Sequence, residues 1–271
     1  MSDPATISAL RRRAATLRRH IVVPASTAFA HLGGAMSCAD VMAALFFHFL
    51  RLDDGPGRRP DHFLLSKGHA VTALHACLAE LGKIDAAELP NSGQSGSRLA
   101  GHPTKKAPGV EFATGSLGHA LSVGVGVALA EQLNRSGART VVLMGDGELQ
   151  EGTVWEAALS APRFGLENLV AIVDYNRYQA GGGVDDVMPI EPLADKWRAF
   201  RWNVTEIDGH DMAAIVAALD AVPAAHGPTA IIAHTVKGKG VPGVEGTGRA
   251  HYTMLTHEEV QRTLAALEGV Q

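Results

Sequence analysis

Residues 141–179, VVLMGDGELQEGTVWEAALSAPRFGLENLVAIVDYNRYQ, restrict the fold of this chain more than any other stretch. An apolar run ends on Gly-Asp-Gly, a helical pattern follows, and a second apolar run ends on Asn-Arg-Tyr. Short apolar runs rich in Val and Ile, joined by one helix, describe two buried parallel strands with a crossover between them. Asp146 and Asn176 then stand at the carboxyl tips of consecutive strands, where ligands collect in open parallel sheets. The alternation continues with helix LADKWRAF, strand WNVTEID, helix MAAIVAALDAV and strand TAIIAHT. Near-continuous apolar strands alternating with helices predict an α/β fold: three α/β/α layers around a doubly wound, mostly parallel sheet. No internal repeat or composition shift divides the chain, so residues 1–271 read as a single domain.

The first half supplies helices and one long connection. Ile7, Leu10, Ala14, Leu17 and Ile21 recur at helical spacing, which makes the Arg-rich start the solvated side of an amphipathic helix rather than a targeting peptide. SCADVMAALFFHFLRL reads as a second helix with Ser37 as N-cap and Asp40 three residues on. RPDHFLLSKGHA brings an apolar run to a polar tip, and AVTALHACLAELG is a helix that stops at Gly82. The Gly, Ser, Asn and Pro content from Asp85 to Pro108 predicts a long surface segment. In TGSLGHALSVGVGVALAEQL, Gly124 and Gly126 fall inside a helical run, so they suit close helix packing rather than a dinucleotide fingerprint.

Composition removes several function classes. With 46% hydrophobic and 19% charged residues, disorder is not expected. A formal net charge of -4 and a pI of about 6.3 offer no broad basic field, so no nucleic acid is expected as partner. Cys38 and Cys77 are the only cysteines and lie outside any CxxC spacing, which points away from disulfides and zinc and toward a reducing cytoplasm. No apolar run reaches the roughly 18 residues of a membrane helix.

An aspartate oxygen, an asparagine carbonyl and a nearby backbone carbonyl are hard ligands, suited to Mg²⁺ or Ca²⁺. Gly145 and Gly147 let the backbone approach a bulky anion, and the amides opening the next helix face it. A Gly-Asp-Gly alone is also an ordinary turn; the asparagine about thirty residues later shifts the weight toward a metal site.

Here the sequence resembles the diphosphate-binding half of thiamine diphosphate enzymes, and GDGELQEGTVWEAA resembles transketolases in particular. HLGGAMSCAD, LSKGHA, GHP at Gly101 to Pro103, TGSLGHAL and TVKGKGV with the later His251 are each similar to a transketolase motif, in the same order along the chain. The resemblance implies metal ligation by Asp146, Asn176 and the main-chain carbonyl of Tyr178. It implies contacts to thiamine diphosphate from His69, Gly115, Ser116, Leu117, Gly145, Asp146, Gly147, Glu148, Asn176 and His251. It moves His31, His69, His102 and His251 to the catalytic pocket, and places Glu151 at a subunit interface, close to the glutamate that activates the cofactor. His20, His48, His62, His75, His210, His226 and His257 keep a structural reading. Lys237 or Lys239 approaches the pocket, without a choice between them.

The chain departs from the transketolase pattern at Leu32, at Tyr175, and at His119 and Ala120, where Gln and Gly are usual beside the pyrimidine ring. It also lacks the usual WHG before His251. The larger departure is length, because the sequence stops after the diphosphate domain. The implied protein is the N-terminal subunit of a split transketolase, working in an α₂β₂ assembly with a separate C-terminal subunit that carries the activating glutamate. Its reaction moves a two-carbon ketol unit from a ketose (phosphate) to an aldose (phosphate). The alternatives are the diphosphate-binding subunit of a 2-oxo acid dehydrogenase and a catalytically silent subunit of the same fold.

Overall fold

A computed structural model of the chain describes residues 3–27, 30–55, 59–223 and 226–269. Helix α1 (Pro4–Val22) starts at Asp3, whose side chain accepts from the Ala5 amide, with proline in the first turn. Its apolar stripe of Ile7, Leu10, Ala14, Leu17 and Ile21 is buried, as its spacing predicts. Arg18 departs from the solvated face expected of the arginines. It is buried because its guanidinium grips Asp40, with NH1 at 3.0 Å and NH2 at 2.5 Å.

Ser37 closes a separate short helix, α2 (Leu32–Ser37), and the helix expected from Ser37 onward begins instead at Ala39 as α3 (Ala39–Ala44), which runs into a π-helical turn, Leu45–Phe49. Ser37 is therefore no N-cap. Its hydroxyl instead donates to the buried carboxylate of Asp174 at 2.6 Å. Strand β1 (His62–Leu65) and α4 (Val71–Glu80) follow. The 85–108 segment does run over the surface in turns, but buried Leu89, Leu99 and Ala107 pin it down.

The remaining elements alternate as the sequence predicts: α5 (His119–Asn134), β2 (Thr140–Gly145), α6 (Gly152–Arg163) and β3 (Leu169–Tyr175). Two short strands, β4 (Tyr178–Gln179) and β5 (Gly182–Gly183), form a small hairpin that the alternation did not suggest, and α7 (Val184–Val187) follows it. Then come α8 (Leu193–Ala199), β6 (Asn203–Asp208), α9 (Met212–Asp220), β7 (Thr229–His234) and α10 (His257–Glu268). Residues 270 and 271, the expected end of the last helix, lie outside the described residues.

Five strands form one parallel sheet in the order β1-β2-β3-β7-β6. Side-chain alternation divides its burial between two cores. Val141, Leu143, Val170, Ile172 and Ile231 pack against α1, α3, α4 and α9, whereas Val142, Met144, Ala171, Val173 and Ile232 pack against α5, α6 and α8. At roughly 1.5–3 kcal/mol for each large side chain removed from water, these two faces hold the strands in register. Gly145 pairs with Asp174, so Asp146 and Asn176 emerge together just beyond the sheet. Among the described residues, no helix is long and apolar enough to cross a membrane.

The two helix glycines differ. A Cβ on Gly124 would stand 2.6 Å from Val142 Cγ2, so close packing of α5 on β2 requires it. Gly126 meets nothing within 4 Å, which corrects the packing role expected for it. Gly124→Ala is expected to cost about 1–3 kcal/mol through overpacking, and Gly126→Ala to add up to about 1 kcal/mol through helix propensity. Urea unfolding of the two variants checks this; equal losses would contradict the packing.

Candidate functional site

Four strand tips converge at the carboxyl edge. Ser66 to His69 follow β1, Asp146 to Glu148 follow β2, Asn176 to Tyr178 follow β3, and Thr235 to Lys237 follow β7. From these tips Lys67, His69, Asp146, Gly147, Glu148, Asn176, Tyr178 and Lys237, with His31, His102, Gly115 and His251, line a cavity of about 370 Å³.

Its floor is organised by Asp174, the last carboxylate within β3, which is fully buried. It accepts from the Lys67 ammonium, from Ser37 Oγ and Thr235 Oγ1 at 2.6 Å, and from Asn176 Nδ2 at 2.9 Å. Burial opposes its charge, but Lys67 and these hydrogen bonds prevail and hold the carboxyl below its ordinary range. Lys67 Nζ also donates to Gly34 O at 2.8 Å, so α2 and the tips of β1, β3 and β7 are tied to one anion.

Asp146, 2% exposed, accepts from Gly147 N at 2.7 Å through Oδ1 and from Arg177 N at 2.5 Å through Oδ2. Asn176 Oδ1 accepts from Tyr178 N at 3.1 Å, an Asx turn that leaves Arg177 left-handed with φ 67°. Burial, followed by the charge of Asp174, raises the Asp146 pKa to about 6. The amides of Gly147 and Arg177, and then the charge of Lys67, oppose that rise without cancelling it. Glu148 is spent on structure: it accepts from Ser66 Oγ, from Gly118 N at 2.8 Å and from Gly145 N at 3.1 Å.

The other wall is short of negative charge. The ring of His31 lies 5.3 Å from that of His69, 6.2 Å from His102 and 5.5 Å from His251. Burial, then Lys67 and His31, depress His69 to about 2; burial, then Lys237, depress His251 to about 4. Burial and His102 lower His31 as well. Lys237 Nζ donates to Tyr178 O at 2.6 Å and lies 2.9 Å from His251 Nδ1, with its pKa lowered to about 8 by burial and by Lys67.

The cavity therefore combines a buried carboxylate that wants a cation with imidazoles and ammonium groups that want an anion. A metal–diphosphate pair satisfies both. Asp146, Asn176 Oδ1 and Tyr178 O each retain a lone pair beyond the bonds described, and all are hard oxygens. Among the described residues, no cluster of three or more His, Cys, Asp and Glu side chains is placed to hold a metal, as befits a set with one carboxylate.

The sequence-derived residues lie together here, with one exception. Ser116 is exposed and outside the lining, as is His119, while Ala120 is buried. Glu151 sits exposed on the rim as N-cap residue of α6, with no side-chain cap bond. Between the two loop lysines, Lys237 faces the cavity and Lys239 pairs outside it with Glu245 at 3.0 Å. Lys67 and Asp174 were missed. A carboxylate inside the continuously apolar run LVAIVD, and a lysine closing another apolar strand, were the available signals, since each needs a buried partner.

Residues 11–269 match the family described as the thiamine diphosphate binding domain of transketolase. The chain is 41% identical over 237 residues to one subunit of the apulose-4-phosphate transketolase of Phocaeicola vulgatus, covering 86% of this chain and 84% of that one. It is 40% identical over 242 residues to the 6-deoxy-6-sulfo-D-fructose transketolase subunit SqwG of a Clostridium species, covering 88% of each. Among solved structures it resembles transketolase from Leishmania mexicana, with TM-score 0.86 and 28% identity over 99% of this chain. Transketolase from Campylobacter jejuni gives TM-score 0.87 and 28% identity over 98%. The chain spans 42% and 43% of the length of these two solved chains.

Proposed function

The chain belongs to the transketolase family, and we propose that it is the N-terminal, diphosphate-binding subunit of a two-subunit transketolase. In this reading residues 1–271 are a single domain, active in an α₂β₂ assembly with a separate C-terminal subunit. The enzyme moves a two-carbon ketol unit from a ketose (phosphate) to an aldose (phosphate). The observation that carries the reading is the convergence, in one cavity, of the buried Asp146 carboxylate, Asn176 and Tyr178 with Lys237 and the imidazoles of His31, His69, His102 and His251. Relatives named as transketolase subunits, matched over most of their length, support the division into two chains.

Asp146, Asn176 and the carbonyl of Tyr178 would hold Mg²⁺ or Ca²⁺, and through it the diphosphate of the cofactor. Bound thiamine diphosphate supplies the electron sink that lets a carbon–carbon bond next to a carbonyl break and re-form. Lys237 and His69, whose pKa values are depressed first by burial and then by the charge of Lys67, would stand at the anionic end, where a negative group favours their protonated forms. His31, His102 and His251 present ring nitrogens to substrate hydroxyls and to the oxygen on which charge develops. With its exposed carboxylate on the rim, Glu151 faces the C-terminal subunit, which brings the carboxylate for the aminopyrimidine. The buried free thiols Cys38 and Cys77 fit a reducing cytoplasm.

The test is reconstitution. Ketol transfer is expected when the chain is mixed with its C-terminal partner, thiamine diphosphate and Mg²⁺, and only background rate when either chain is left out. Decarboxylation of a 2-oxo acid by the same mixture, without ketol transfer, would replace this reading with the dehydrogenase one.

A further inference from the structure

We propose that His210 is a positioning residue of this site: it fixes the main chain at Val236 and so sets where the Lys237 ammonium stands in the cavity. The inference rests on the cofactor reading given above. Sequence alone gave His210 a structural role, and its contacts go further than that. Its Nδ1 lies 2.8 Å from Asp40 Oδ2, and the amide of Val236 donates to its Nε2 at 2.9 Å. The ring is thus held in the tautomer that donates from Nδ1 and accepts at Nε2. Asp40 is itself held by both terminal nitrogens of Arg18. The line Arg18, Asp40, His210, Val236 runs from α1 through α3 to the exit of β7, and ends one residue before Lys237.

Neither end of this line has slack. Side-chain exposure is 9% for Arg18, 12% for Asp40 and 15% for His210. The turn that carries the ring is pressed against β7: Gly209 N donates to His234 O at 2.8 Å, and a Cβ on Gly209 would stand 2.4 Å from Thr235 Cγ2. Asp208 Oδ1 accepts from His210 N at 2.8 Å, so the backbone of the imidazole is fixed as well. Beyond the peptide that it holds, Lys237 reaches Tyr178 O at 2.6 Å, and Tyr178 O is one of the oxygens assigned above to the cation. An ammonium that must share this space with a metal–diphosphate has to be placed closely, since a misplaced catalytic or binding group loses affinity or rate far out of proportion to the shift.

Three substitutions separate this role from packing. Glutamine carries an acceptor to the position of Nε2, asparagine carries a donor to that of Nδ1, and alanine keeps neither. Thiamine diphosphate is titrated, with Mg²⁺ present, into the enzyme assembled with its partner subunit, and thermal unfolding is recorded without cofactor. His210→Ala and His210→Asn are expected to weaken cofactor binding about tenfold, the range seen when the support of a site ligand is removed, and His210→Gln to recover most of it. In a Lys237→Met background, His210→Ala is expected to add no further loss, because both changes remove one coupled interaction. Equal losses in the two backgrounds, rescue by asparagine as good as by glutamine, or wild-type affinity in His210→Ala would each overturn the inference. Failure of the wild-type assembly to bind the cofactor is a different outcome, and would overturn the cofactor reading beneath it.

Discussion

Replacing Asp146 by asparagine is expected to abolish metal-dependent binding of thiamine diphosphate while leaving the cofactor-free protein at least as stable as before. The expected loss exceeds about 100-fold, the upper range for contacts that merely support a site ligand. The reason is charge rather than shape. Asp146 is almost wholly buried, its oxygens already accept the amides of Gly147 and Arg177, and burial together with Asp174 pushes its pKa up to about 6. Without a cation that carboxylate is a cost to the fold. A neutral amide of the same outline removes the cost, keeps an acceptor for one backbone amide, and deletes the single formal charge that the three oxygens offer to a divalent ion. Cofactor titration with Mg²⁺, set beside urea unfolding without it, separates the two effects. Retained affinity would show that the diphosphate is held without a metal at this place.

Lys67→Met is expected to have the largest effect on the fold itself, a loss of about 3–5 kcal/mol, because it strands a buried carboxylate. Lys67 and Asp174 are both fully buried, and the hydroxyls of Ser37 and Thr235 and the amide of Asn176 converge on the same anion. Those three neutral donors do not replace a full positive charge in a dry interior. The double variant Lys67→Met with Asp174→Asn is expected to recover much of the loss, since the remaining amide leaves no uncompensated charge. Urea midpoints of the single and double variants measure this. A single variant as stable as the wild type would mean that Asp174 takes up a proton without penalty, and that the pair does not organise the floor.

These residues also show what was legible in the sequence. The sheet and most of its crossovers were readable because apolar runs such as VVLM and LVAIVDY alternate with helical patterns, and the two tips that close them are polar. Asp146, Asn176 and the histidines were readable because their motifs place them at one edge. Where the reading failed, a tertiary partner had overridden a local rule. Ser37 looked like an N-cap, yet its hydroxyl goes to Asp174, a residue 137 positions away. Arg18 belonged by pattern to a solvated face, yet Asp40 draws it inside. Lys67 in LSKGHA closes an apolar strand, which signals a buried partner, but nothing local identifies that partner as Asp174 at the end of β3. Gly126 was indistinguishable from Gly124 by sequence, since only the side of α5 that meets β2 decides which glycine is needed.

The central claim is that a divalent cation at the tips of β2 and β3 anchors the diphosphate, and Mn²⁺ offers the most direct way to see it. Crystals grown with Mn²⁺ and thiamine diphosphate should give an anomalous scattering peak bounded by the Asp146 carboxylate, Asn176 Oδ1 and the carbonyl of Tyr178, with Lys237 moved off that carbonyl. A diphosphate bound in the cavity with no manganese between those three oxygens would contradict the account.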